Sequence, residues 1–237
     1  MNLKSYLEMR LKLQDQEPKF RTICHACFQP DFNCYCTHIK HFDPKMKFVI
    51  LMHNLEAKRR VATGRLSHLC LENSELLVGH DFSQNRDVNS ILANDQYHSV
   101  ILYPGRNSFN LSDASAQQRA DYFPQDKKLA LFVIDGTWNT ARKMVRSSNL
   151  TKLPRICFSP PKPSNFRVRK QPAPGCYSTL EAIHHTIELL GPSRGFNPAT
   201  RTHDHLLHVF DTMVEKQLEY VRRSHTTQTH SRHRRTA

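Results

Sequence analysis

A chain of 237 residues is long enough to bury one sizeable hydrophobic core, and its 38% hydrophobic and 9% aromatic content is typical of a globular protein. No apolar run approaches the roughly 18 residues that a membrane-spanning helix needs, and residues 1–20 lack the apolar stretch of a secretory signal. Without such segments, we expect a cytoplasmic protein. The formal net charge of +13 favours a polyanionic partner, most commonly nucleic acid, so we also expect nucleic-acid binding.

Part of this positive charge lies at the C-terminus. Residues 222–237 hold five Arg, three His and no acidic residue, and we expect a disordered basic tail over 224–237. Further basic clusters at 58–60 and 167–170 lie in the interior of the chain, away from this tail. The tail alone therefore does not account for the charge, and the interior clusters predict a nucleic-acid-binding surface.

A cysteine cluster near the N-terminus predicts a metal site with the spacing C-x2-C-x6-C-x-C. Its members are Cys24, Cys27, Cys34 and Cys36. Two close pairs of thiolates can converge on one tetrahedral ion, and zinc is the expected occupant in a reducing compartment. Four sulfur ligands leave no position open for water, so such a site is structural. Two alternatives stay open: His25 or His38 replaces one sulfur, or the thiols bind no metal. With an N-terminal helix, this cluster defines a segment over residues 1–40.

The body of the chain alternates apolar runs with helical patterns. The apolar runs are 47–53, 75–79, 99–105, 128–136 and 155–160. Because these runs are continuous rather than alternating, they predict strands of a parallel sheet that helices cover on both faces. The predicted helices are 55–70, 89–94, 138–147, 179–190 and 204–223. We therefore predict an α/β domain over residues 41–223.

Unusual residues follow three of the predicted strands. His53 ends the first, the turn Tyr103-Pro104-Gly105 ends the third, and the sequence DGTW follows from Asp135. Ligands of parallel sheets bind beyond the carboxyl ends of the strands, so these residues predict a single site. Downstream, Ser178 and Glu181 form a capping-box pattern after a long, basic, proline-rich loop over 160–175. This helix start serves either as a structural cap alone or also as a receptor for an anionic ligand group.

Five motifs, taken in order, resemble the DTW-domain family over about residues 24–190. They are the cysteine cluster, HNLEAKRRVATGRL at 53–66, LYPG at 102–105, DGTW with ARKM at 135–144, and RVRKQPAPGCYSTLEAI at 167–183. The resemblance implies a tRNA-uridine aminocarboxypropyltransferase. Such an enzyme moves the 3-amino-3-carboxypropyl group of S-adenosylmethionine to N3 of a uridine, forming acp3U and releasing methylthioadenosine. It also implies a relation to SPOUT proteins, whose parallel sheet carries a C-terminal trefoil knot that cradles the cofactor.

The implied reaction needs a base, because the ring nitrogen is mostly protonated at neutral pH and must lose its proton as it attacks carbon. Asp135 is the candidate base, and its alternative role is to cap the following helix. Trp138 either stacks on a base or anchors the helix in the core, and Thr137 either contacts the base edge or caps the helix. The resemblance assigns the cofactor to Leu102, Tyr103, Pro104, Gly105, Val133, Ile134, Ser178, Thr179 and Glu181.

Basic side chains near these motifs are the candidates for RNA contacts. They are Arg59, Arg60, Arg65, Arg142, Arg146, Arg167, Arg169 and Lys170. Arg59 and Arg60 are equally compatible with a solvated helix face. Two rival functions stay open, a SPOUT-type RNA methyltransferase and a non-catalytic zinc-ribbon RNA-binding protein. We expect tRNA as the partner and no membrane, and the oligomeric state stays open, with a monomer as one option.

Overall fold

A parallel β-sheet forms the centre of the protein. The computed structural model describes residues 22–169 and 175–226. Its strands are β1 Lys47–His53, β2 Ser74–Gly79, β3 Tyr97–Leu102, β4 Phe109–Asn110, β5 Lys128–Asp135 and β6 Arg155–Cys157. They form one six-stranded sheet in the order β2-β1-β5-β3-β6-β4, and every pair of neighbours is parallel. The predicted parallel α/β fold is therefore confirmed. The predicted N-terminal helix, Lys170 and most of the predicted basic tail lie outside the described residues.

Helices lie in the connections between these strands, and in the described part of the chain two more follow the last strand. Those of the described segments are α1 Asn54–Ala57, α2 Thr63–Cys70, α3 Arg86–Leu92, α4 Ala116–Tyr122, α5 Trp138–Met144, α6 Thr179–Leu190 and α7 Asp204–Thr226. Short 3-10 helices lie at Asp31–Asn33, Cys36–His38, Gly191–Arg194 and Pro198–Thr200. The last helix extends into the first residues of the predicted tail. Within the part of the chain that the structure describes, no helix is long and apolar enough to cross a membrane.

The prediction of a single helix over 55–70 is wrong, because the structure has two separate helices in this range, α1 and α2. Ala62, the residue before α2, is extended, and the buried Arg65 side chain folds back on the end of α1. Its guanidinium donates to the carbonyl oxygens of Ala57 at 2.5 Å and Arg59 at 3.2 Å. A side chain from the second helix thus satisfies carbonyl groups that a continuous helix would have used internally.

Both faces of the sheet are buried, which explains the continuous apolar runs. In β1, Phe48 and Ile50 belong to a core that includes residues of α2, α6 and α7. The alternate residues Val49 and Leu51 belong to a second core with residues of α3 and α5. Because successive side chains of a strand point to opposite faces, a strand between two helical layers needs apolar residues at every position.

The central strand β5 pairs with β1 on one side and β3 on the other. Met52 is opposite Asp135 and Leu102 is opposite Val133, so the carboxyl ends of the three strands lie at one edge of the sheet. The segments that follow, from His53, from Tyr103 and from Gly136, all start at this edge. Parallel sheets place their ligand sites there.

Candidate active site

Asp135, the last residue of β5, is a buried carboxylate with only 4% of its surface exposed. The Thr179 hydroxyl donates a 2.6 Å hydrogen bond to its Oδ1. Burial raises the pKa of Asp135 to about 6, against the opposing hydrogen bond from Thr179. The negative charge of Glu56 raises this pKa further, and the positive charge of Arg169 lowers it. A carboxyl group with a pKa near 6 is mostly ionised at neutral pH and is a stronger base than an ordinary aspartate.

Gly64, in the first turn of α2, packs directly against this carboxyl group. A Cβ atom at position 64 would lie 2.6 Å from Oδ2 of Asp135 and 2.9 Å from its Cβ. Oδ2 is fully buried, and no well-formed hydrogen bond reaches it from the described residues. The glycine therefore allows the α2 backbone to close over one oxygen of Asp135 and leaves the other to Thr179.

The helix after DGTW is capped by Thr137 and not by Asp135. The Thr137 hydroxyl accepts a 3.2 Å hydrogen bond from the Thr140 N–H, which is the usual N-cap arrangement. The sequence allowed either Asp135 or Thr137 to cap this helix, and the structure shows that Thr137 is the cap. Asp135 makes no cap hydrogen bond to α5 and instead faces Thr179 of a distant helix.

Trp138, the first residue of α5, is 42% exposed and is therefore not an anchor within the core. It lies in the walls of two adjoining cavities. Gly136, Tyr177 and Thr179 also belong to both walls. These four residues mark the place where the two cavities meet.

The first, which we call the apolar cavity, has a volume of about 290 Å³. Six residues that the sequence assigned to the cofactor lie together in its wall: Leu102, Tyr103, Pro104, Val133, Ile134 and Thr179. Ala141, Cys157 and Phe158 extend the same wall. Most of this lining comes from the ends of β3, β5 and β6, as expected for a ligand site of a parallel sheet.

The second, which we call the polar cavity, has a volume of about 460 Å³. Asp135, Thr137, Arg169 and Ser178 are the predicted site residues that belong to this wall in addition to Trp138 and Thr179. Thr63, Asn139 and Phe166 also line it. The cavity offers an ionisable carboxyl group, an exposed aromatic face and a guanidinium group within one space.

Arg169 is held in the polar cavity by a buried partner. Its guanidinium forms two hydrogen bonds, of 3.2 and 3.1 Å, to the carboxylate oxygens of Glu56, which is only 2% exposed. Glu56 lies in α1, immediately after β1, and Arg59 approaches the same carboxylate at 3.5 Å. A two-pronged pair of this kind fixes the plane of the guanidinium group as well as its position.

Glu181 has a supporting role. It completes the capping box with Ser178, whose hydroxyl accepts from the Glu181 N–H. The Glu181 carboxylate also accepts hydrogen bonds of 2.7 Å from the Ser164 hydroxyl and from the Asn165 N–H. Neither Glu181 nor Gly105 is in the wall of the apolar or the polar cavity as far as the described residues go. Glu181 instead holds Ser164 and Asn165 of the proline-rich loop at the start of α6.

Several of the basic residues predicted to contact RNA are exposed. Arg142 and Arg146 are exposed on α5 and its continuation, and their positive charges, together with that of Arg155, oppose the rise that burial causes in the pKa of Tyr103. These arginines therefore lie close enough for their charges to act on Tyr103, a residue of the apolar cavity wall. Arg60 is exposed as well, whereas Arg167 pairs with Glu215.

Arg65, a candidate for RNA contact from the sequence, is buried in the structure. Its side chain is 6% exposed, holds the end of α1 as described above, and stacks 4.4 Å from the ring centre of Phe28. The guanidinium group is consumed by these internal contacts and does not face a phosphate. Position 65 therefore links the cysteine segment to the α1–α2 connection.

The four clustered cysteines converge as predicted. Their sulfur atoms all lie within 4.8 Å of one another, and the Cys24–Cys36 and Cys27–Cys34 sulfurs are 3.6 Å apart. A tetrahedral zinc ion with Zn–S bonds of about 2.3 Å separates its ligands by roughly 3.8 Å, so the geometry fits zinc without His25 or His38. The Lys216 ammonium group of α7 donates to the Cys34 carbonyl oxygen at 2.7 Å and ties this segment to the last helix.

Two contributors to the site were not singled out from the sequence. Tyr177 borders both cavities, and the Arg155 guanidinium lies 5.7 Å from the Tyr103 ring centre. Tyr177 directly precedes the recognised N-cap Ser178, so its position was a usable signal. Arg155 begins a short strand, and nothing local to it indicates a contact with Tyr103.

Comparisons with known proteins find relatives that share one name. A protein of Drosophila melanogaster named tRNA-uridine aminocarboxypropyltransferase 2 is 31% identical over 181 residues, which cover 73% of this chain and 68% of the relative. Proteins of the same name from Mus musculus and Macaca fascicularis are 27% and 26% identical, and the matches cover 72% and 76% of this chain. Those matches span only 57% and 60% of the two mammalian proteins. No solved structure matches this chain significantly.

The family comparison covers most of the chain. Residues 21–218 match the DTW domain. This range includes the cysteine cluster, the whole sheet and both cavities. The chain belongs to the DTW domain family.

Proposed function

We propose that this chain transfers the 3-amino-3-carboxypropyl group of S-adenosylmethionine to N3 of a uridine in tRNA. The observation that carries the proposal is a buried carboxylate of raised pKa, Asp135, at the meeting point of an apolar and a polar cavity. The names of the relatives, tRNA-uridine aminocarboxypropyltransferase 2, support the same reaction.

The apolar cavity is assigned to the donor. Its walls of Leu102, Val133 and Ile134 suit an adenine ring, and Tyr103 and Pro104 line one side directly after the end of β3. When bound, S-adenosylmethionine supplies a carbon made electrophilic by the neighbouring sulfonium. Thr179 lies in the wall shared with the polar cavity, so the reacting carbon has to face this shared wall. Orientation decides which of the three carbons on sulfur reacts.

The polar cavity is assigned to the uridine. Trp138 offers its exposed face for stacking on the unpaired base, as aromatic side chains commonly do with single-stranded RNA. Asp135 accepts the N3 proton as the N3–C bond forms and the C–S bond breaks, and the electron pair of that bond goes to sulfur. The Thr179 hydroxyl stabilises the charged carboxylate before the transfer, because it donates to Oδ1.

The tRNA backbone is assigned to the basic rim. Arg142 and Arg146 are exposed beside the cavities, and Arg169 is held within the polar cavity by Glu56. Guanidinium groups bind phosphate oxygens in two-pronged geometry. The cysteine cluster is assigned to a structural zinc ion, for which the spacing of its sulfurs is the support.

The relation to SPOUT proteins and the trefoil knot belong to the same proposal. The parallel sheet supports the relation to SPOUT proteins in a general way, and the knot rests on the family resemblance alone. A crystal structure with bound donor tests this part, because the chain path around the donor is then directly visible.

The reaction is tested with two labelled donors, one carrying the label in the aminocarboxypropyl group and the other in the methyl group. The full chain is incubated with each donor and unmodified tRNA, and the nucleosides are analysed by mass spectrometry. We expect label in RNA only from the aminocarboxypropyl donor, with release of methylthioadenosine. The matched control is Asp135→Asn, which keeps the shape of the side chain and removes the base.

Two other outcomes distinguish the rival functions. Label in RNA from the methyl donor identifies a methyltransferase and refutes the proposal. RNA binding with no affinity for either donor, unchanged in Asp135→Asn, identifies a non-catalytic binding protein and refutes it as well.

A further inference from the structure

A second cluster of metal-ligand side chains lies away from the cysteine segment and from the two cavities of the proposed reaction. Its members are His184, Glu188, His203 and Asp204, each of which places one ligand atom within 4.8 Å of the others. His184 and Glu188 are one turn apart in α6, and Asp204 is the first residue of α7. His203 is fully buried, and His184 is buried as well. The cluster thus bridges the two helices that pack over one face of the sheet.

The distances within this cluster approach those of a tetrahedral site. His184 Nε2 lies 2.8 Å from Asp204 Oδ1, and His203 Nε2 lies 3.3 Å from Glu188 Oε1 and 3.9 Å from Asp204 Oδ1. Zinc–nitrogen and zinc–oxygen bonds of about 2.0–2.1 Å place the ligand atoms of a tetrahedral ion roughly 3.3 Å apart. The observed separations lie on both sides of this value, so small side-chain rotations suffice to admit an ion.

The charges of the cluster also suit a divalent cation. Arg201 donates to Glu188 Oε1 at 2.8 Å and to both oxygens of Asp204 at 2.8 Å. Two carboxylates face one guanidinium, so with neutral imidazoles one negative charge remains in excess. Ligating carboxylates are commonly held by hydrogen bonds from other groups, and each carboxylate oxygen that accepts from Arg201 keeps a second lone pair for an ion.

We propose that His184, Glu188, His203 and Asp204 form a second zinc site, separate from the cysteine cluster. Two imidazoles and two carboxylates are an accepted ligand set for zinc, and with four protein ligands the site is closed and structural. It clamps the middle of α6 to the start of α7 across the two short 3-10 helices between them. Since the start of α6 carries Ser178 and Thr179, the clamp holds the helix that borders both cavities.

The test is a count of zinc ions in the full chain, stripped with a chelator and then dialysed against zinc. We expect two ions per chain by inductively coupled plasma mass spectrometry, and one fewer in His184→Asn. Replacement of zinc by cobalt separates the sites, because only thiolate ligands give a strong sulfur-to-cobalt charge-transfer band. Loss of the ion in His184→Asn leaves this band unchanged, and Cys24→Ser removes the band and leaves the second ion bound.

Controls keep the result decisive. His208→Asn replaces an exposed histidine of α7 outside the cluster and should keep the native zinc count. Asp204→Asn, at a half-buried position, repeats the loss of one ion if His184→Asn does not fold by circular dichroism. An ion count that is the same in native protein, His184→Asn and Asp204→Asn overturns the proposal. So does a single ion that disappears in Cys24→Ser.

Discussion

Thr179 donates a 2.6 Å hydrogen bond to Asp135, and this bond joins the first residue of α6 to the last residue of β5 across 44 residues of sequence. Asp135 is almost completely buried, whereas Thr179 lies in the walls of both cavities. The pair therefore connects the base of the proposed reaction to the space where donor and acceptor meet. Each partner can be altered separately, and the two changes have different expected effects.

Removing the carboxyl group at position 135 should abolish transfer. Asp135→Asn keeps the acceptor oxygen for Thr179 and removes the base, which is worth roughly 10²- to 10⁴-fold in rate. In the native protein the reactive form is the carboxylate, and the pKa of Asp135 is raised to about 6. The single-turnover rate should therefore rise as pH increases through about 6 and then level off. A rate that is constant from pH 5 to 8, measured by quenched-flow nucleoside analysis, contradicts a base role for Asp135.

Removing the hydroxyl group at position 179 should move this pH profile. The hydrogen bond from Thr179 lowers the pKa of Asp135, so its loss in Thr179→Val should raise that pKa and shift the rate midpoint to higher pH. Thr179→Ser keeps the hydroxyl group and should keep the native midpoint. If the valine and serine variants have the same midpoint, the hydrogen bond from Thr179 does not influence the pKa of Asp135.

Adding one methyl group at position 64 should displace Oδ2 of Asp135, the oxygen that does not accept from Thr179. In Gly64→Ala the new Cβ would lie 2.6 Å from Oδ2 of Asp135, so the carboxyl group or α2 must shift. Alanine inside a helix normally stabilises by about 1 kcal/mol relative to glycine, but here we expect a lower melting temperature and a large loss of activity. Gly175→Ala is the control, since its nearest neighbour would be 3.9 Å away and its stability should be nearly native. A Gly64→Ala protein that is more stable and fully active would contradict the close packing.

The pair of Arg169 and Glu56 should show strong coupling. Arg169→Met leaves the carboxylate of Glu56, which is 2% exposed, with the more distant Arg59 as its one remaining ion-pair partner among the described residues, and should lower the free energy of unfolding by ~3–5 kcal/mol. The double variant Glu56→Gln with Arg169→Met should regain much of this loss. Arg167→Met is the matched control, because its exposed pair with Glu215 is worth about 0–1 kcal/mol. Denaturant unfolding of the native protein, Glu56→Gln, Arg169→Met and the double variant measures the coupling, and strictly additive losses would count against it.

Trp138 provides a direct probe, because the chain contains only one tryptophan and this residue borders both cavities. We expect the fluorescence of the native protein to change when S-adenosylmethionine is added, and to change again with tRNA. Stacking on a base is worth about 1–3 kcal/mol, so Trp138→Ala should weaken tRNA affinity roughly 5- to 150-fold. Trp138→Phe should recover part of that affinity. Emission that stays constant at saturating donor, under conditions where product forms, would place the donor elsewhere.

The elements predicted correctly are those that depend on local patterns. α6 begins and ends at the predicted residues because the capping box at Ser178 and the apolar stripe over 179–190 are both contained in one short segment. The continuous apolar runs predict buried parallel strands because burial on both faces leaves no position for a polar residue. The strand β4, with two residues, and the helix α4 have no comparable apolar pattern and were not predicted.

The elements predicted wrongly depend on contacts between distant residues. The break between α1 and α2 is stabilised by Arg65, whose guanidinium reaches back to carbonyl oxygens and is covered by Phe28 from the cysteine segment. The charge of Arg65 in the sequence suggested an RNA contact. Only the folded chain shows that this charge is buried and satisfied internally.

The sequence by itself determined the class of fold, the cysteine cluster, the cap of α6 and the family to which the chain belongs, because each rests on residue types at short spacing. The tertiary structure decided that Oδ1 of Asp135 accepts from Thr179 while Oδ2 is buried against α2, that Thr137 caps α5, and that the two cavities share the wall of Gly136, Trp138, Tyr177 and Thr179. Burial and close packing set the pKa of Asp135, and both depend on α1, α2 and α6 meeting at one strand end. No local sequence pattern predicts this contact between α1, α2, α6 and the end of β5. These elements are tens of residues apart in sequence and come together only when the sheet has formed.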